Sequence, residues 1–172
     1  AFRRAQSGLD PLTGLHNRQV IMKVLDRERA LRTGAGCCIV LADIDRFKSV
    51  NDTYGRAVGD FVLQTVAGRF LAKLRPYDEI FRYGGEEFLI CLPDAGAGAA
   101  AEVVERLRLS VADQPVPLQD GTALPVTVSF GLCRVDAENA LKQTIEHADQ
   151  ALYAAKHGGR NQLRVWSEGS VR

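Results

Sequence analysis

Two glycines followed at once by two carboxylates occupy residues 82–88, which read Arg-Tyr-Gly-Gly-Glu-Glu-Phe. A second acidic segment starts at Asp43, where an apolar run ends. If both segments are strands of one sheet, Asp43 and Glu86 can face each other across adjacent strand ends. Mg²⁺ takes oxygen ligands and is usually held by one or two carboxylates plus substrate phosphates. These carboxylates and the backbone carbonyl of Ile44 therefore predict a divalent-metal site.

Gly84 and Gly85 are predicted to form the tip of a β-hairpin. Glycine adopts positive φ and lets a phosphate approach the main chain closely, so the hairpin can lie over a triphosphate. Neighbouring strand residues point to opposite faces, which argues against Glu86 and Glu87 being equivalent ligands. Two interpretations of Glu87 remain. It could bind the second metal ion or lie near the phosphates, or it could be a structural partner of a nearby cation. Asp45 is similarly open, as a site carboxylate or as a solvated strand end or helix cap.

The composition predicts one globular domain without a strong electrostatic preference for nucleic acid or membrane. The chain has 172 residues, of which 46% are hydrophobic and 25% charged. A domain of this size buries about 70% of its unfolded surface, which is ample for an independent core. The formal net charge is +1, so phosphate binding must come from a local cluster of cations. We expect no nucleic-acid partner and no membrane contact by this segment.

The cysteines favour a reducing compartment. All four lie in apolar, strand-like runs without paired metal-ligand spacing, which predicts buried thiols: Cys37, Cys38, Cys91 and Cys133. The histidines also lack ligand spacing, so no zinc site is expected. No apolar stretch reaches the roughly 18 residues that a membrane span needs, and no signal sequence is apparent. The expectation is a soluble, cytoplasmic segment, taken from a longer protein because the chain starts at Ala1.

Hydrophobic periodicity alternates between helix and strand along the chain. Helices are predicted at 18–31, 58–74, 95–111 and 139–156, and strands at 37–44, 79–83, 87–92 and 124–133, with a final strand near Trp166. The core order of strand, helix, strand, strand, helix, strand is that of a ferredoxin-like palm. We therefore predict an α+β fold with a mainly antiparallel central sheet flanked by helices. A single domain is expected at 10–172, after the end of an incoming helix at 1–9.

Four ordered motifs resemble the GGDEF family of bacterial diguanylate cyclases over nearly the whole chain. They are the segments 10–18, 43–52, 84–88 and 148–161. Glu86 stands where the family name has aspartate, a variant that keeps the carboxylate. The resemblance implies that two GTP molecules condense into cyclic di-GMP with release of two pyrophosphates. Each domain of a homodimer would hold one GTP, and the incoming helix would lead from an upstream regulatory domain.

The resemblance also implies roles for the acidic residues. Asp43, the Ile44 carbonyl and Glu86 would ligate Mg²⁺ or Mn²⁺, with two metal ions expected per GTP. Glu86 is also the usual candidate for the base that takes the 3′-hydroxyl proton, with Glu87 beside it in the chemistry. The ligand role of Glu86 is favoured because a metal-bound carboxylate is a poor base.

Substrate contacts follow from the same resemblance. Asn51 and Asp60 match the positions that read guanine, since a carboxylate accepts from the ring N–H and amino group that adenine lacks. Arg56 replaces a histidine common in relatives, and its nucleotide contact is left open. Cationic residues expected at the phosphates are Lys48, Lys156 and Arg160. The alternatives are a helix cap for Asp60, a solvated lysine for Lys48, and an ordinary helix C-terminal charge pattern for Lys156 and Arg160.

Arg75 and Asp78 match the family's inhibitory RxxD element, because Arg75 lies nine positions before Gly84. Arginine can grip guanine or phosphate in bidentate fashion, so this pair is expected to bind the product, with Arg106 or Arg108 as a further contact. A rival function is a catalytically silent effector that binds cyclic di-GMP here. A third is another nucleotidyl cyclase or polymerase-type palm. The intact metal and signature residues favour the enzyme over the effector, and the combination of Asn51, Asp60 and the position of Arg75 favours it over the third.

Overall fold

The computed structural model describes residues 8–31, 36–136 and 141–172. The described helices are α1 (Ile21–Leu31), preceded by a 3₁₀ turn at Arg18–Val20, α2 (Phe47–Tyr54), α3 (Arg56–Lys73), α4 (Ala97–Ala112) and α5 (Leu141–His157). The described strands are β1 (His16–Asn17), β2 (Cys37–Ile44), β3 (Glu79–Arg82), β4 (Glu87–Pro93), β5 (Val116–Pro117), β6 (Ala123–Leu124), β7 (Val128–Arg134), β8 (Leu163–Ser167) and β9 (Ser170–Val171). The predicted incoming helix at 1–9 lies almost wholly outside the described residues.

A central sheet runs in the order β1-β3-β4-β2-β7-β8-β9. Its four middle strands, β3, β4, β2 and β7, pair antiparallel, whereas β1 pairs with β3 and β8 with β7 in parallel. A separate short sheet joins β5 and β6. The predicted α+β fold, with a mainly antiparallel central sheet flanked by helices, is confirmed.

Helices cover both faces of the sheet, and this explains why β2 is apolar at nearly every position. Alternate residues of β2 enter two separate cores. Val40 and Ala42 pack with residues of α2, α3 and α4. Ile39 and Leu41 pack with residues of α1 and α5. The strand that carries Asp43 is therefore fixed from both sides.

Two predicted elements differ from those observed. The predicted helix at 58–74 is preceded by a separate helix, α2, which the periodicity missed because its eight residues bury only Phe47 and Val50. Gly55, with φ of 92°, divides α2 from α3. The predicted strand at 124–133 is also divided, since β6 ends at Leu124 and β7 begins at Val128. Pro125 follows β6 directly and has no N–H to donate to a ladder.

The helix α5 packs unusually close to β7 at Gly131. A Cβ added to Gly131 would lie 2.2 Å from the Ala148 carbonyl oxygen and 2.3 Å from the Leu152 nitrogen. Both atoms belong to the α5 backbone, so a side chain here requires the whole helix to move. This contact matters because α5 also carries Lys156.

We predict that Gly131→Ala lowers the free energy of unfolding by about 1–3 kcal/mol or more, because overpacked backbone cannot relax locally. Gly68→Ala is the matched control, since Gly68 lies in α3 and an added Cβ meets nothing within 4 Å. The control should gain up to about 1 kcal/mol from helix propensity. Urea unfolding followed by circular dichroism measures both. Equal midpoints for Gly131→Ala and the wild-type chain would contradict the close packing.

Candidate active site

The acidic segments meet where β2 ends and β4 begins. The antiparallel register pairs Asp43 with Glu87, and the Ile44 N–H donates to the Glu86 carbonyl at 3.2 Å. The expectation that Asp43 and Glu86 face each other directly was therefore wrong. The ladder starts at Glu87, which leaves Glu86 in the preceding turn. Glu86 instead lines a cavity on the side of α2 and α3.

Asp43 is a buried carboxylate held by a cation from α5. It is 6% exposed and accepts a hydrogen bond of 2.6 Å from the Lys156 Nζ. Burial raises the pKa of Asp43 to about 6, and the nearby charges of Glu86 and Glu87 act in the same direction, while Lys156 opposes them. Three carboxylates, Asp43, Glu86 and Glu87, therefore influence one another beside a single lysine. A bound cation would relieve that imbalance.

The donor set fits a magnesium-type site. Among the residues that the structure describes, no three His, Cys, Asp or Glu side chains form a ready metal cluster. A hard cation such as Mg²⁺ does not need one, because substrate phosphates and water complete its coordination. Asp43, Glu86 and the Ile44 carbonyl belong to segments joined by the Ile44–Glu86 hydrogen bond. Their roles as ligands remain predictions.

Glu87 lies on the α5 side of the sheet among charges of both signs. Burial raises the pKa of its carboxyl, and Asp149 and Glu86 add to this, whereas Lys156 and Arg18 lower it. The Arg18 guanidinium stacks over the Tyr83 ring with its Cζ 4.2 Å from the centroid. These surroundings agree with either interpretation of Glu87, as part of the phosphate surroundings or as a structural partner of a cation.

The two glycines of the turn serve a different purpose from the one expected. Neither Gly84 nor Gly85 adopts a positive φ, so that part of the prediction was wrong. A Cβ on Gly84 would lie 2.6 Å from the Glu87 Oε1, and the Gly84 N–H donates to the Glu87 carbonyl. Gly84 therefore leaves room for the folded Glu87 side chain. Nothing lies within 4 Å of a Cβ on Gly85, which leaves the main chain open there.

Arg82 supports this turn, and the motif analysis missed its role. Its Nη2 donates to the Gly85 carbonyl at 2.8 Å and its Nη1 to the Asp10 Oδ1 at 3.1 Å. Burial tends to raise the pKa of Asp10, but hydrogen bonds from Thr13 and Arg82 outweigh it and leave this pKa lowered. Arg82 thus joins the motif at 10–18 to the glycine turn. Its position two residues before Gly84 was the available signal.

A cavity of about 580 Å³ lies between α2, α3 and the turn. It gathers most of the polar residues predicted to contact the substrate, together with apolar walls that the sequence analysis did not single out. The lining comprises Leu12, Phe47, Lys48, Asn51, Arg56, Asp60, Leu63, Arg82, Gly85 and Glu86. Gly84, Lys156 and Arg160 are not part of this lining. Their predicted contacts would have to lie beyond it, toward α5.

Asn51 presents an unsatisfied acceptor at this cavity. Its Oδ1 is buried and has no hydrogen-bond partner among the described residues. A Cβ on Gly59 would lie 1.8 Å from that oxygen, so glycine is needed for the amide to sit there. Leaving a buried acceptor unpaired costs about 1–3 kcal/mol.

Asp60 does not cap a helix, so that alternative was wrong. α3 begins at Arg56 with Gly55 at its N-cap, and Asp60 is the fifth helical residue. It is half-buried and lines the same cavity as Asn51. Lys48 and Arg56 are exposed at the cavity mouth.

Lys156 and Arg160 both lie near the C-terminal end of α5. Lys156 belongs to the last turn and reaches Asp43. Arg160 is exposed, three residues beyond the helix end, with φ of 62°. The alternative interpretation, an ordinary charge pattern at a helix C-terminus, does not fully explain Lys156, because its amine contacts a site carboxylate.

Asp45 has a structural role that neither earlier interpretation covered. It is 8% exposed and accepts hydrogen bonds from the Thr127 and Ser129 hydroxyls, each at 2.7 Å, and from the Asn161 N–H at 3.0 Å. It is neither solvated nor a helix cap, since Arg46 occupies the N-cap of α2. Asp45 joins the end of β2 to β7 and to the turn after α5.

Arg75 and Asp78 bind each other at the opposite end of the sheet. Arg75 donates from Nη2 to the Asp78 Oδ1 at 2.7 Å and to the Pro93 carbonyl at 2.9 Å. Hydrogen bonding to Asp78 raises the pKa of Arg75. Pro93 pairs with Cys37, at the start of β2, whereas Asp43 lies near its end. The predicted product site is therefore remote from the acidic cluster.

The two candidate partners of this site differ. Arg106 is exposed on α4. Arg108 pairs with Glu105 and donates to the Asn161 Oδ1 at 2.9 Å. Because the Asn161 N–H contacts Asp45, Arg108 reaches toward the Asp43 end of the sheet. Arg106 remains the better prediction.

Comparison with known proteins shows the family. Residues 7–162 match the family described as "Diguanylate cyclase, GGDEF domain". This chain belongs to that family, which confirms the resemblance drawn from the four motifs. Diguanylate cyclase DgcP of Pseudomonas aeruginosa is 40% identical over 165 residues, which make up 95% of this chain and 24% of DgcP. The chain thus spans about a quarter of that relative.

Two solved structures share the fold closely. The GGDEF domain of DgcB from Caulobacter crescentus, in complex with c-di-GMP, is 34% identical with a TM-score of 0.88, and the match covers 94% of this chain and 96% of that one. Diguanylate cyclase SiaD from Pseudomonas aeruginosa, in complex with its activator SiaC, is 38% identical with a TM-score of 0.87 over 95% of this chain and 65% of that one. Among the described helices, none is long and apolar enough to span a bilayer.

We predict that Asp45→Ala lowers the free energy of unfolding by about 2–3 kcal/mol, because one buried and two partly buried donors lose a charged acceptor. Asp52→Ala is the matched control, since Asp52 is exposed on α2. Thermal unfolding without nucleotide measures the difference. A transition for Asp45→Ala at the temperature of the control would contradict the structural role of Asp45.

Proposed function

We propose that this domain is a diguanylate cyclase, which condenses two GTP molecules into cyclic di-GMP and two pyrophosphates. The observation that carries the proposal is the cavity, where the unpaired Asn51 oxygen and the Asp60 carboxylate lie beside Glu86. Both acceptors suit a base with N–H donors on its pairing edge. Guanine offers a ring N–H and an amino group there, and adenine lacks the ring N–H.

In each half of the reaction, the 3′-hydroxyl oxygen of one GTP attacks the α-phosphorus of the other. A bond forms between that oxygen and phosphorus, the hydroxyl proton passes to a base, the bond from phosphorus to the oxygen that it shares with the β-phosphate breaks, and pyrophosphate leaves. Two such steps close the ring. We propose that each domain binds one GTP in this cavity, so that the two nucleotides come from two domains of a homodimer whose sites face each other.

The protein contributes positioning and charge rather than a nucleophile. Asp43, Glu86 and the Ile44 carbonyl would hold Mg²⁺ or Mn²⁺, two ions per GTP in the full complex. The bound metal supplies charge neutralisation at the phosphates and acidifies the attacking hydroxyl. The Lys156 amine, which donates a hydrogen bond to Asp43, would also bind phosphate oxygens. Arg160 would add a second cation on the same side.

We further propose feedback by the product at Arg75 and Asp78, with Arg106 as an added contact. The bidentate pair holds the arginine in a fixed orientation, with its Cζ 4.5 Å from the Tyr77 ring centroid. The guanidinium side chain is 32% exposed, so a ligand can reach it. We also propose that the full-length protein has an upstream regulatory domain. This segment would lie in the cytoplasm.

Incubation of the purified domain with GTP and Mg²⁺ at high protein concentration tests the reaction. Cyclic di-GMP, identified by chromatography and mass, is the expected product. Glu86→Gln should lower the rate at least about a hundredfold, because removing one charged group at a phosphoryl-transfer site costs that much or more. Glu102→Gln, exposed on α4, is the matched control and should retain full activity.

The rival effector function has its own signature in this experiment. The effector function would be supported if no product formed, if the domain bound added cyclic di-GMP, and if Arg75→Ala abolished that binding. The enzyme proposal would then be wrong. Nucleotide carried through purification is removed beforehand, so that a product-locked enzyme is not mistaken for a receptor.

Base selection provides a further prediction. Asp60→Ala should reduce the preference for GTP over ATP by about tenfold or more, since a site built to hydrogen-bond a base loses discrimination when the acceptor is removed. Competition binding with both nucleotides measures the ratio. An unchanged ratio would assign base selection to other residues.

A further inference from the structure

Two thiols lie in contact on the α1 and α5 side of the sheet. The Cys37 and Cys91 Sγ atoms are 3.3 Å apart. Cys37 is the first residue of β2 and stands opposite Pro93, whereas Cys91 stands opposite Ile39. The two cysteines are therefore diagonal neighbours on one face of an antiparallel pair. Their side chains turn toward each other across the strands.

The accessibility of the two thiols differs. Cys37 is partly exposed at the end of its strand, while Cys91 is 1% exposed. Cys37 is therefore the residue that a small oxidant can approach from solvent, and a buried second thiol is already in contact with its sulfur. This is the arrangement of an attacking and a resolving cysteine.

The remaining two cysteines are placed differently. Cys38 points to the opposite face, where its Sγ donates to the Ala95 carbonyl at 3.3 Å. Cys133 stands across β2 from Cys91, with Ile39 between them. Burial raises the pKa of Cys38 to about 12 and that of Cys133 to about 11, which keeps both as unreactive thiols.

We propose that Cys37 and Cys91 form an oxidation site at which a peroxide makes an intramolecular disulfide. The Cys37 thiolate attacks the peroxide, so that a sulfur–oxygen bond forms and the oxygen–oxygen bond breaks. The resulting sulfenic acid is attacked by the Cys91 sulfur. A sulfur–sulfur bond forms, the sulfur–oxygen bond breaks, and water leaves. Two thiols and one hydrogen peroxide thus give one disulfide and two waters, and a thiol reductant reverses the modification.

Because diagonal neighbours have Cα atoms about 7–8 Å apart, the bond requires the ends of β2 and β4 to move closer together. A disulfide has a sulfur–sulfur length of about 2.05 Å, so the two atoms must approach by about 1.2 Å from their present separation. The site lies at the start of β2, and Asp43 lies six residues further along the same strand, about 20 Å away at the usual rise. Oxidation therefore joins the two strands that carry the acidic residues, at the end remote from them.

The test uses the whole chain treated with hydrogen peroxide, followed by thiol titration and intact mass. The expected product keeps two of its four thiols, loses the mass of two hydrogen atoms, and migrates as a monomer without reductant. Fragmentation of peptides should join Cys91 to the segment that holds Cys37. Because Cys38 is adjacent, the variants assign the partner. Cys37→Ser should abolish the cross-link, and Cys38→Ser should retain it.

Cys133→Ser is a second control that should also retain the cross-link, and Cys91→Ala removes the resolving thiol without adding a buried hydroxyl. A cross-link that survives in Cys37→Ser, that joins two chains, or that uses Cys133 would overturn the proposal. The readout is independent of nucleotide turnover, so its failure is distinguishable from failure of the cyclase assay.

Discussion

The ladder between β2 and β4 is the constraint on which the rest of the site depends. Its register places Asp43 opposite Glu87 and brings the Glu86 carbonyl to the Ile44 N–H. Asp43 is thereby brought to the strand end that carries Glu86 and Glu87, although more than forty residues separate it from them in sequence. Antiparallel pairing is periodic, so one correct pair fixes all the others. The buried apolar faces on both sides of β2 hold this register.

The second consequence of the β2–β4 pairing is that negatively charged side chains lie near one another. Gathering carboxylates in a partly buried place is unfavourable unless cations accompany them. The fold supplies one cation from the last turn of α5, although burial, with a smaller effect from the charges of Glu86 and Glu87, still raises the pKa of Asp43. A metal ion bound with substrate phosphates would add positive charge next to these carboxylates. Asp45, two residues further along the chain, differs because three hydrogen bonds from the protein itself stabilise its carboxylate.

The sequence predicted the fold well because its signals were local and periodic. Long helices and the β2 run appear directly in the pattern of apolar residues, and the motif order indicated the family. Short α2 and the break at Pro125 were missed, since eight residues contain too few apolar positions and a period of two continues through a proline. The partners of Asp43 and Asp45 could not be predicted, because register and distant hydroxyl donors depend on tertiary packing. The Asn51–Gly59 contact likewise joins two helices across a turn.

The contact of α5 with Gly131 has a consequence for genetics. A side chain there would lift the helix that carries Lys156, and the amine would leave Asp43 although neither residue had changed. A screen for loss of signalling would then recover substitutions at a sheet glycine beside substitutions of the acidic residues. If the substitutions were classified by phenotype alone, this glycine would be mistaken for a catalytic residue. Its effect would reach the site through the position of one helix.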